Sequence, residues 1–185
     1  MYTARPPAFE STDTVSRVVA LLVRFPAIHS VRSNPADATL TLSFAVRERL
    51  DRGKAQALAD RVSEYVRAFL DLRDEVPAKL AVACDRDTAV SFVHVTRDAA
   101  SFAREELELL VALFADAYGD RLVRDEASAT PVDDDPAARD EVVEVALDAL
   151  RDPAQRQRLV GFREEQRVLV YFAHARKRAK ARARS

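Results

Sequence analysis

Cys84 and His94 are the residues of this 185-residue chain whose types and spacing come nearest to nucleophilic chemistry. A thiol attacks as its thiolate, which forms near neutral pH only beside a base or a cation. Cys84 stands just before the turn-like run Asp85-Arg86-Asp87-Thr88, and His94 stands after it. A hairpin closing there would bring the two together. That supports, as one alternative, a small enzyme of unspecified reaction using His94 with Cys84 or a nearby aspartate. The competing account is a buried, inert thiol and a half-buried histidine alternating with Phe92 and Val90, the commoner fate of such residues. No catalytic residue is therefore assigned.

Other constellations fall short of a recognisable site. His29, His94 and His174 lie on three separate segments, with no i, i+4 pair to ligate a metal. Asp85 with Asp87, and Asp133-Asp134-Asp135, read as turn and linker residues rather than cation ligands. Gly53-Lys54 at a helix start could hold an anion on free backbone N–H groups, but no further glycine flanks it. There is no P-loop, HExxH or nucleophile elbow. No metal or cofactor is expected.

The most pointed chemistry is electrostatic. Arg176, Lys177, Arg178, Lys180, Arg182 and Arg184 place six cations within nine residues, spaced mainly by alanine. The segment lacks an apolar stripe to hold it to a core, so free in solution it is expected to have no fixed structure. Against phosphates it would gain charge-assisted contacts and release counterions. Net charge over the chain is −1, yet the charge is segregated. It is +2 over Met1–Arg97, −11 over Asp98–Asp152 and +8 over Pro153–Ser185. The partners this implies are a nucleic acid, RNA above all, an acidic protein, or a second copy of the chain through its own acidic stretch. A membrane surface is disfavoured, because no apolar face accompanies the charge.

The elements that must carry these groups follow from periodicity. Met1–Glu10 (residues 1–10) is a patternless lead-in without the form of a secretory signal. Ser11, Thr12 and Asp13 offer caps to a helix whose stripe is Val15, Val18, Val19, Leu22 and Val23, ended by Pro26. A hairpin over Ile28–Val46 turns at Ser33–Asp37, and its second strand alternates Leu40, Leu42, Phe44 and Val46 with smaller residues. A helix from Asp51 or Gly53 runs to about Arg73. Leu80–Cys84 and Ala89–Thr96 form a second hairpin, and a helix capped by Asp98 or Ser101 runs to Gly119. An acidic linker near residues 125–136 leads to a helix opened at Asp135-Pro136, carrying Val142, Val143, Ala146 and Leu150. Arg158–Phe162 and Arg167–Phe172 make a third hairpin. Val168–Phe172 is apolar throughout, which predicts a central strand covered on both faces.

The fold class expected is therefore α+β, an antiparallel sheet built from three hairpins with helices packed mainly on one face. A split βαβ arrangement is the minor alternative. Residues 11–173 form a single domain, and 174–185 form the basic tail. Phe44, Phe92, Tyr171 and Phe172 fall on strands. Exposed strand aromatics can stack bases, but core packing is the better account where the glycine-aromatic signature of RNA-binding sheets is missing. One cysteine excludes an internal disulfide and suits a reducing cytoplasm.

Gly119-Asp120-Arg121-Leu122-Val123 and the run Gly161–Val170 resemble segments of a family of small cytoplasmic bacterial proteins of uncharacterised activity. The resemblance spans about the last two thirds of the chain and implies no substrate, cofactor or catalytic residue. The reading favoured is a non-enzymatic, cytoplasmic binding or regulatory module whose basic C-terminus engages an anionic partner, with RNA foremost. Self-association as a scaffold is the alternative.

Overall fold

The computed structural model describes residues 8–124, 136–152, 155–164 and 167–173. Among them the order is α1 (Ala8–Arg24), β1 (Ser30–Asn34), β2 (Thr39–Val46), α2 (Arg52–Asp71), β3 (Leu80–Arg86), β4 (Ser91–Asp98), α3 (Arg104–Tyr118), α4 (Pro136–Arg151), β5 (Arg158–Glu164) and β6 (Arg167–Ala173). The six strands make one sheet in the order β3-β4-β2-β1-β5-β6. Each sequential pair is an antiparallel hairpin, and the two seams between hairpins are antiparallel too. The fold is α+β, and within it β2, α2 and β3 make one split βαβ unit, because β2 and β3 both run antiparallel to β4, which lies between them.

Strand β2 sets the two faces. Leu40, Leu42, Phe44 and Val46 are all buried. The register carries their side of the sheet to Val93 and Val95 on β4 and to Val31 on β1. From Val31 it passes to Gly161 on β5. Helices meet in the spatial order α2, α3, α4, α1 across that face, with α2 against β3 and α1 against β5 and β6. Phe44 stacks on Phe114 of α3 at 3.9 Å between ring centroids, and both are fully buried. The helix α1 lies close on the sheet because Gly161 has no side chain. A Cβ there would stand 2.9 Å from Val18 Cγ1 and 3.0 Å from Leu22 Cδ1.

Two buried arginines hold elements together. Arg97, 1% exposed, donates to both carboxylate oxygens of the fully buried Glu106, to Asp98, to Ser101 Oγ and to the carbonyl of Lys79. This ties β4 to α3 and to the start of β3. Arg163 of β5 donates to the carbonyls of Leu22, Phe25 and Ile28. It thereby satisfies groups at the C-terminus of α1 that lack helical partners, where a cation is also favoured by the helix dipole.

Several expectations need correction. The helix α1 begins at Ala8, so Ser11–Asp13 lie within it rather than capping it. Asp98 and Ser101 bind each other and Arg97 instead of capping α3, whose N-cap is Ala103 without a side-chain bond. Val142 is exposed, and Leu147 takes its place in the core. The strand β6 is an edge strand and not a central one. Val168, Val170 and Phe172 pack on the core, whereas Leu169 and Tyr171 are exposed on the other face. Asp135 and most of the acidic linker lie outside the described residues.

Candidate functional site

No described helix packs on the second face of the sheet, and that face carries the candidate site. Small residues occupy its middle. Ser30 of β1 is paired with Ser43 of β2 on one side and with Phe162 of β5 on the other. On β4, Phe92 and His94 point this way because their neighbours Val93 and Val95 point inward. The result is a depression of about 500 Å³ with Ser30 at its base. His29 and Phe92 form one wall, with ring centroids 5.1 Å apart. Phe162 and Tyr171 form the other, 6.0 Å apart and nearly perpendicular. Arg32, Asp85 and His94 complete the lining.

A hydrogen-bonded chain crosses three strands here. Ser43 Oγ lies 2.7 Å from His94 Nδ1, and His94 Nε2 lies 3.1 Å from Asp85 Oδ2. An ionised Asp85 can only accept, so Nε2 carries the proton and Nδ1 of the neutral ring accepts from the Ser43 hydroxyl. The residue types are those of a hydrolase triad, but Ser43 is wholly buried and cannot reach a carbonyl carbon. The chain fixes the histidine ring within the sheet surface.

The imagined Cys84–His94 pair does not form. Cys84 is opposite Val93 and faces the helices, while His94 is opposite Ala83 on the other face. Burial pushes the Cys84 thiol upward, with Asp85 adding to that and Arg86 opposing it. The strand β3 runs two residues further than expected, to Arg86. Asp85 is thus a strand residue within reach of His94 and not part of a turn.

The helix-start anion site is also filled from within. Asp51 caps α2 by accepting from Lys54 N at 2.8 Å, and the Lys54 ammonium donates to Glu48 at 2.7 Å. Among the described residues no group of three or more His, Cys, Asp or Glu could hold a metal ion, and no helix is long and apolar enough to cross a membrane. Arg176, Lys177, Arg178, Lys180, Arg182 and Arg184, and His174, lie outside the described residues. Of the strand aromatics, Phe44 and Phe172 face the core, while Phe92 and Tyr171 stand on the open face. Phe162 joins them, having been read only as part of an apolar run.

His29 supplies a pH dependence. Burial lowers its pKa from the ordinary histidine value, and the electrostatic influence of Arg163, His94 and Arg32 pushes the same way. In the unfolded chain it titrates near about 6.5, so below that pH the unfolded state takes up a proton the folded state resists. Its contribution to stability is complete above that value and declines as pH falls toward the folded pKa. Urea midpoints should therefore drop between about pH 7.5 and about pH 5.5, and His29→Phe, which keeps a ring against Phe92, should flatten that drop. An equal slope in both proteins would refute the assignment.

No family model matches the chain, and neither a curated protein nor a solved structure matches it.

Proposed function

We propose that the protein is a non-enzymatic binding module that takes single-stranded RNA across the open face of its sheet and grips the phosphates with Arg176, Lys177, Arg178, Lys180, Arg182 and Arg184. One observation carries this reading: the face without described helices holds Phe92, Phe162 and Tyr171 beside the exposed Arg32. Tyr171 is exposed and Phe92 and Phe162 are half-buried, so together they leave a contiguous apolar surface open for something to stack on. Base faces suit such rings, and the attraction is tolerant of sequence. The charge is complementary as well. Arg32 and Arg158 stand on this face, since their neighbours Val31 and Leu159 point inward. The strand β6, which carries Tyr171, ends at Ala173, just before the cationic run.

The test is fluorescence anisotropy of a labelled single-stranded RNA titrated at several salt concentrations. Six phosphate contacts on a single strand predict a log–log salt slope of about −4. Truncation after Ala173 leaves β6 intact and should flatten the slope and weaken binding at low salt by at least about tenfold. Tyr171→Ala and Phe162→Ala should each cost roughly tenfold with little change in slope. Unchanged affinity after the truncation would sink the proposal. A salt-sensitive oligomer with no RNA affinity would transfer the reading to self-association through the acidic and basic regions.

A further inference from the structure

The depression is more specific than a stacking surface requires. Its base is the Ser30 hydroxyl, on a residue 3% exposed, and that oxygen has no hydrogen-bond partner among the described residues. Its cross-strand neighbour Ser43 is committed to His94, and His94 to Asp85. A buried hydroxyl without a partner is disfavoured and marks a place where a polar group is missing. Here the missing group would arrive from the open side, between two aromatic walls and beside one cation.

Resting on the RNA reading above, we infer that this depression is a subsite for a single nucleobase of the bound strand. The base enters between the His29/Phe92 and Phe162/Tyr171 pairs. Its polar edge meets Ser30 Oγ, which can donate or accept. Arg32 takes the adjoining phosphate. The volume of about 500 Å³ admits a base with its ribose. Asp85, 80% exposed, keeps its negative charge while it accepts from His94, so the attraction for the phosphate must come from Arg32. The subsite would therefore give the module a base preference that aromatic stacking alone does not supply.

Ser30→Ala separates the two roles. Removing an unsatisfied hydroxyl should leave the melting temperature unchanged or slightly raised, so the variant folds. The probes are labelled oligo(A), oligo(C) and oligo(U) of about eight nucleotides, a length suited to one small binding surface. The wild type is expected to prefer one of them by at least about fivefold, and Ser30→Ala to reduce the spread to about twofold while retaining most of the mean affinity. Equal wild-type binding of all three, or an undiminished preference in Ser30→Ala, would overturn the subsite and leave the RNA reading standing. AMP, CMP and UMP serve as the second set of probes, read by amide NMR shifts at Ser30 and Phe162. Binding of one monophosphate without any RNA affinity would support the subsite and reject the RNA reading. Binding of neither class would overturn both.

Discussion

Arg97→Leu is expected to destabilise the protein by about 3–5 kcal/mol, because it leaves the carboxylate of Glu106 buried without its cation. Both side chains are out of contact with water, and the guanidinium reaches Glu106 at 2.6 and 3.1 Å through two nitrogens. That loss is a large part of the roughly 5–15 kcal/mol that holds a domain folded. The pair as a whole is a different matter. Two charges removed from water gain little net stability from each other, and apolar residues of similar size often do as well. Arg97→Met combined with Glu106→Leu should therefore recover at least about 2 kcal/mol relative to the single change. Urea unfolding with a common m-value measures both. If the losses simply add in the double variant, the pairing is not what fixes α3 to β4.

Phe44→Ala is expected to cost about 3–5 kcal/mol, by lost transfer energy and the cavity left behind. Phe44 lies at the centre of the inward face, stacked on Phe114 with planes 10° apart. Neighbours from β2, β4 and α3 are already close-packed and can collapse only partly into the gap. Phe44→Leu keeps most of the volume and should cost less than about 1.5 kcal/mol. A loss below about 1 kcal/mol for the alanine variant, measured the same way, would show that the site relaxes freely.

Much of the architecture was legible because particular residues speak plainly. Leu40, Leu42, Phe44 and Val46 alternate without a break, and Asp51 stands where a helix cap belongs. The strand β4 was harder. Its inward set is Ser91, Val93, Val95 and Arg97, so polar ends interrupt the apolar period. Ser91 is buried because it accepts from Leu50 N and donates to the Glu48 carbonyl. Arg97 is buried because Glu106 is. Partners on distant segments cannot be read from a local pattern. The open-face site was hidden for the same reason. Serines at 30 and 43, and an aspartate taken for a turn residue, become neighbours only through the pairing of β1, β2, β4 and β3. The apolar run of β6 misled in the opposite way. A run buried on both faces and an edge strand with an aromatic on its open side look alike in one dimension.

The contact between Arg163 and the carbonyls ending α1 has a consequence in time. Arg163 and Ile28, which share a hydrogen bond, are 135 positions apart along the chain. A ribosome adding about 5–20 residues per second takes roughly 7–27 s to cover that distance. The helix α1 thus waits for the β5–β6 hairpin to close its end. Meanwhile the edge of β1 and the side of α1 bearing Val18 and Leu22 have no β5 to receive them. For that interval the nascent chain presents an unpaired edge beside apolar side chains, the surface on which mispairing between chains begins.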